Sequence, residues 1–157
     1  LKMLYFNSTN GFHKTLNLVC TGVRFQKNEL DQISKLKLEN RVFAISATEE
    51  QMARLYRDAQ LFVYPSYYEG FGMPILEAMQ YHCPVVLSDA SCFPEIAQDA
   101  ACYFDPYSEG KMAEVMLNVI DNVSLRNALI QRGNVRIRNF SWEKSADRHL
   151  AVYKSLL

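Results

Sequence analysis

The sequence predicts an α/β fold built on a parallel sheet with helices on both faces. Short apolar runs recur at Leu16–Thr21, 41–45, Leu61–Tyr64, Val85–Ser88 and Ala101–Phe104, and stretches of helical periodicity separate them. Several of the runs are apolar throughout and do not alternate. A strand exposed on one face alternates polar with apolar residues, whereas a strand covered on both faces does not. The intervening helices make such strands parallel, with right-handed crossovers.

Each element has a local reason. Residues 2–6 and 16–20 can pair as a hairpin joined through Asn10-Gly11. Residues 29–38 predict a helix whose Leu30, Ile33, Leu36 and Leu38 form one buried stripe. Thr48 and Gln51 have capping-box spacing, and Met52, Leu55 and Tyr56 follow at helical intervals. A helix over 74–82 ends at the Cys83-Pro84 step, because proline disfavours helical geometry in the residue before it. A short helix is expected over 94–98. Beyond Pro106 only helices are expected, at 108–121, 124–132 and 142–156. Ser141 suits the N-cap of the last, and Trp142, Ala146, Leu150, Tyr153 and Leu157 mark its apolar stripe, read as packing and not as a ligand box.

Composition narrows the function classes. At 157 residues, with 49% hydrophobic and 22% charged, residues 1–157 are expected to form one globular domain. Seventeen basic residues balance seventeen acidic ones, so no nucleic-acid partner is expected. No apolar run approaches the length of a membrane span, and the opening Leu-Lys-Met-Leu-Tyr-Phe is too short for a signal peptide. The start without Met reads as a cut. Cys20, Cys83, Cys92 and Cys102, separated by 63, 9 and 10 residues, match neither a zinc site nor a compact disulfide framework. Reduced, buried thiols suit a cytoplasmic compartment. His13, His82 and His149 are too scattered for a ligand set, and no metal is expected.

The chemistry concentrates in 64–77, Tyr-Pro-Ser-Tyr-Tyr-Glu-Gly-Phe-Gly-Met-Pro-Ile-Leu-Glu. Gly70 and Gly72 permit turn geometry and close ligand approach, and Pro74 suits a first helical position. A helix starting there exposes N–H groups near Gly72, Met73, Ile75 and Leu76, an anion seat suited to a diphosphate. Glu77 lies four residues after Met73. Helical side chains lean toward the N-terminus, so its carboxylate is aimed back at the ligand end, where it can accept two ribose hydroxyls. Glu69, on the turn, is repelled by a diphosphate unless sugar hydroxyls stand between them and donate to it. The two acids thus bracket a sugar, a diphosphate and a ribose. Taken singly, Glu77 reads rather as a helix-dipole partner and Glu69 as a solvated loop residue; the glycines, proline and preceding strand together favour the site.

With Glu69 and Glu77 flanking seven residues, followed by Ala78-Met79 and Cys83-Pro84-Val85-Val86, the chain resembles the C-terminal domain of family-4 glycosyltransferases. These are retaining enzymes of the GT-B fold, with two Rossmann-like domains. The resemblance runs from about Leu16 to the end, through Asn40-Arg41-Val42, Leu61-Phe62-Val63-Tyr64-Pro65-Ser66, Phe93-Pro94-Glu95-Ile96, Phe104-Asp105-Pro106 and Phe140-Ser141-Trp142-Glu143. It implies that Glu69 contacts the donor sugar and carries the catalytic role, that Gly70 and the backbone of Phe71, Gly72 and Met73 meet sugar and phosphate, and that Glu77 holds the ribose. It implies a nucleoside diphosphate sugar as substrate, with no cofactor and no divalent metal. Ser46-Ala47 stand where relatives carry glycine near the base pocket, which makes Ser46 a donor-site residue and leaves the base open. Gln98 replaces a glycine at a helix end. The resemblance implies that the family's first strand and the turn carrying its diphosphate-gripping Arg and Lys fall before Leu1 and that residues 1–7 are the tail of the helix after that strand, the hairpin being the competing reading; the acceptor is expected on an N-terminal domain outside this chain. Relatives often build envelope polysaccharides, which leaves a peripheral membrane role open for the parent. Two other classes stay open: a nucleoside diphosphate sugar epimerase of the same architecture, and a noncatalytic nucleotide-binding module.

Overall fold

The computed structural model describes residues 3–8, 16–22 and 24–156. Six strands, β1 (Met3–Ser8), β2 (Leu16–Thr21), β3 (Val42–Ile45), β4 (Leu61–Tyr64), β5 (Val85–Ser88) and β6 (Ala101–Phe104), form one sheet in the order β3-β2-β1-β4-β5-β6. The helices are α1 (Lys27–Lys35), α2 (Glu49–Asp58), α3 (Met73–Gln80), α4 (Phe93–Ala97), α5 (Glu109–Asp121), α6 (Val123–Arg136) and α7 (Trp142–Ser155). The α/β class is as expected, and every strand except the first runs in one direction.

The exception corrects the reading of residues 1–7 as a helix tail. Residues 3–8 form β1, which pairs antiparallel with β2, from Met3 opposite Thr21 to Ser8 opposite Leu16, and antiparallel with β4, with Leu4 opposite Val63. Only residues 9–15 separate β1 from β2. A parallel connection needs a dozen or more residues, so the short link enforces reversal. The Asn10-Gly11 turn of the hairpin reading, and His13, lie outside the described residues.

The sheet core follows from alternation along β4 and β5, every residue of which is buried. Phe62, Tyr64, Val85 and Leu87 turn to one side and pack with Tyr56 of α2, Ile75 and Met79 of α3, and Phe93 of α4. Leu61, Val63 and Val86 turn to the other and meet Phe104, Val119 of α5 and Leu129 of α6. Gly133 of α6 is buried, and a Cβ there would stand 3.1 Å from Met79 Cγ, so the small residue sets how closely α6 approaches α3.

Local signals hold at the helix starts. Thr48 Oγ1 accepts from Gln51 N–H while Gln51 Oε1 accepts from Thr48 N–H, and Ser141 Oγ accepts from Lys144 N–H. α3 ends as a Schellman turn: His82 is left-handed at φ 60°, its N–H donates to Met79 O, and Cys83 N–H donates to Ala78 O. Gln98 takes φ +50°, the conformation that a glycine there would relax.

Two expected buried stripes are not buried. In α1 no residue is buried, and Leu30 and Leu36 are 52% and 61% exposed. Phe43 of the edge strand β3 is exposed as well. In α7 no residue is buried either, and Trp142, Leu150 and Tyr153 face outward. Periodicity identifies an apolar face without stating what covers it.

Cys83 supplies a pH expectation. Its thiol sits between α3 and β5, and burial pushes its pKa from 9.0 up to about 12, against a smaller lowering by a backbone hydrogen bond from Phe62. The thiol is neutral when protonated, so the unfolded chain loses that proton first as pH rises. Folding stability is therefore fully present below pH 9 and falls from there toward pH 12. Between pH 9 and pH 10 the expected loss from this group is about 1 kcal/mol. Urea denaturation at both pH values should show this loss, and Cys83→Ala should flatten it; an equally steep decline in the variant would contradict the assignment.

Candidate nucleotide-sugar site

The parallel strands β2, β3 and β4 end at one edge of the sheet, on either side of the central β1. Open α/β sheets bind ligands outside such carboxyl ends, where the strand order reverses. A cleft of about 660 Å³ lies there, walled by Thr21 and Gly22 after β2, Ser46 and Ala47 after β3, Tyr64 at the end of β4, Met52 and Tyr56 of α2, and Pro74, Glu77 and Tyr81 of α3.

The structure brings Ser46 and Glu77 to this one cleft. Glu77 is exposed, and its Oε2 accepts a hydrogen bond from Tyr56 Oη at 2.9 Å. Glu69, Gly70, Phe71, Gly72 and Met73 do not wall that cleft; they form the turn leading into α3. The Glu69 side chain is half-buried and fixed by hydroxyls. Ser66 Oγ donates to Glu69 Oε1 at 2.9 Å, and the Tyr64 phenol is hydrogen-bonded to the same carboxylate. That phenol is pushed well above the usual tyrosine range, first by burial, then by the charge of Glu69 and the hydrogen bond with it, and further by Cys92 and Glu77. Both carboxylates therefore lie within electrostatic reach of one neutral tyrosine.

The turn is clasped from the β5–α4 loop. Ser91, left-handed at φ 55°, donates from Oγ to Glu69 O at 2.8 Å and accepts from Glu69 N–H at 3.2 Å. Cys92 Sγ donates to Glu69 O and Phe71 O at 3.3 and 3.2 Å, which gives this thiol a polar task beyond filling space. The Phe71 ring meets Phe140 edge-on at 5.8 Å. Gly72, at φ +89°, is the N-cap of α3, which begins at Met73, one residue before the expected start. Ile75 N–H donates to Gly72 O at 2.9 Å, so it is not free as expected. Pro74 has no N–H, which leaves the Gly72 and Met73 amides as the leading donors at this helix end. Gly70 differs from Gly72: its φ is not positive, and a Cβ added to it would meet nothing within 4 Å.

Four participants go beyond what the sequence singles out. It places Tyr56 only in helix packing, Tyr64 only at the end of a strand, Ser66 only within the quoted motif, and Thr21 only at a strand end. Thr21 is 4% exposed, walls the cleft, and its Oγ1 has no hydrogen-bond partner among the described residues. A buried orphan hydroxyl costs about 1–3 kcal/mol of stability. Among the described residues no three His, Cys, Asp or Glu side chains cluster closely enough for a metal ion, and no helix is long and apolar enough to cross a membrane.

The chain is similar to several known proteins. O-antigen chain mannosyltransferase B of Escherichia coli is 39% identical over 108 residues, covering 69% of this chain and 28% of its own length. The crystal structure of the C-terminal domain of a glycosyl transferase group 1 family protein (LpcC) from Francisella tularensis matches with a TM-score of 0.62 at 30% identity, covering 72% of this chain and 60% of that one. Anabaena HepE, solved in complex with UDP, shares the fold with a TM-score of 0.72 at 22% identity, over 83% of this chain and 36% of its own. The chain thus spans little more than a quarter of the curated relative's length. A family model described as Glycosyl transferases group 1 matches residues 9–136, and the chain belongs to that family.

Proposed function

We propose that this chain is the donor-binding part of a retaining glycosyltransferase that moves a sugar from a nucleoside diphosphate to a hydroxyl acceptor, the acceptor being held by another domain of the parent protein. One observation carries the reading: Glu77 lines a cleft at the carboxyl ends of three strands, in the second turn of α3, whose N-cap is Gly72. Ribose hydroxyls donate to Glu77, the diphosphate sits at the Gly72 and Met73 amides, the base lies toward Ser46, and the hexose reaches Glu69. Glu69 orients the sugar and needs no nucleophilic role. The helix dipole contributes about 0.3–1 kcal/mol toward the departing diphosphate, so most charge stabilisation comes from basic groups of the parent. The relative named as a mannosyltransferase favours mannose as the sugar.

The test uses the intact parent protein with nucleoside diphosphate sugars and an acceptor, with product configuration read by NMR. Retention of the donor's anomeric configuration is expected. Inversion overturns the retaining assignment, and epimer formation without acceptor supports an epimerase instead. Thr21→Val gives a separate prediction. Removing the orphan hydroxyl should stabilise the unliganded chain by about 1 kcal/mol and weaken nucleoside diphosphate binding. Thermal unfolding and calorimetric titration measure the two effects, and stabilisation with unchanged affinity would place Thr21 outside the ligand's contacts.

A further inference from the structure

We infer that Tyr56 is a positioning residue for the nucleotide: its hydroxyl holds the Glu77 carboxylate in the orientation that accepts the ribose hydroxyls. The inference rests on the proposed ribose role of Glu77 and adds a residue outside the Glu69–Glu77 segment. Tyr56 is 1% exposed, yet it stands on the cleft wall. Its ring is fixed on two sides, stacked on Tyr81 at 6.1 Å and 8° and edge-on to Phe62 at 5.5 Å and 75°. A phenylalanine would fill the same space. What tyrosine adds is a hydroxyl, and that hydroxyl donates to Glu77 Oε2 at 2.9 Å across 21 residues of sequence.

The physical consequence concerns freedom. An exposed glutamate samples many rotamers, and immobilising one on binding weakens affinity about three- to tenfold. Anchoring Oε2 to a rigid phenol removes most of that loss before the ligand arrives. An ionised carboxylate has about four lone-pair sites, so one bond from Tyr56 leaves room for two ribose hydroxyls. A carboxylate serving only to satisfy a buried phenol has no need to face the cleft, whereas Glu77 does both.

Calorimetric titration of the chain with GDP and UDP, each against its 2′,3′-dideoxy counterpart, tests this. Wild type should prefer the ribose form. Tyr56→Phe should lose about three- to tenfold for the ribose form and nothing for the dideoxy form, and it should add no further loss in a Glu77→Ala background. If Tyr56→Phe weakens both forms equally, or neither, Tyr56 has only a packing role and the inference is overturned while the ribose assignment stands. If wild type binds ribose and dideoxy forms equally, the ribose assignment of Glu77 itself fails, and the inference with it.

Discussion

Glu77→Ala is expected to weaken nucleoside diphosphate binding by roughly ten- to a hundredfold. A carboxylate accepting from ligand hydroxyls contributes about 1.5–3 kcal/mol per charged hydrogen bond, and truncation removes it. The fold should persist, because the Glu77 side chain is exposed and belongs to neither apolar cluster. The stability cost is limited to the one hydrogen bond from the Tyr56 hydroxyl to Glu77, about 1 kcal/mol. Glu77→Gln keeps the shape and one acceptor oxygen, so its affinity should fall between the two. Titration calorimetry reads all three proteins, and an alanine variant that binds like wild type would remove Glu77 from the ligand.

Gly72→Ala is expected to cost about 2–4 kcal/mol of folding stability, a large share of the 5–15 kcal/mol typical of a domain. The backbone holds φ +89°, which side chains rarely adopt, and the new Cβ would stand 2.9 Å from Ile75 Cδ1 and 3.1 Å from Phe93 Cε1. Phe93 is wholly buried, so it cannot swing aside without disturbing the cluster beneath α3. Relief by moving the turn would displace the Met73 amide, so ligand affinity should fall as well. Gly70→Ala is the counterpart. Its Cβ enters open space, and stability should stay within about 0.5 kcal/mol of wild type. That open space is where the sugar and phosphate are proposed to approach, so affinity should fall without a stability change. Denaturant midpoints and calorimetry on the pair separate backbone need from ligand clearance; unchanged affinity in Gly70→Ala would contradict close approach at that residue.

What could be read from the sequence depended on the range of the interaction. β2, β4, β5 and β6 occupy the expected residues because their apolar runs are bounded by polar or turn-forming segments. The Thr48–Gln51 box and the Ser141 cap were legible because both partners lie within three residues. Residues 1–7 admitted two readings, a helix tail and a hairpin strand, because what decides between them is pairing with β2 and β4 and not local spacing. The stripes of α1 and α7 were legible as stripes, but not their exposure, which depends on how much sheet lies beneath them. Within the site, the glycines and both glutamates stood out by local spacing. The side chains that hold them did not: Tyr56 acts on Glu77 across 21 residues, and Ser91 on Glu69 across 22. No periodicity links such pairs; only the folded sheet does. Gly70 and Gly72 looked alike in sequence, and only backbone angles and neighbouring atoms separate them.

The most direct test of the central claim is an amide NMR titration of the chain with GDP and UDP. The account predicts that the largest shifts for the nucleotide that binds fall on the amides of Gly72 and Met73, with further shifts at Gly22, Ser46 and Ala47, and that Glu77→Ala reduces all of them at equal ligand concentration. Shifts absent from the start of α3, or gathered on a surface away from this cleft, would contradict it.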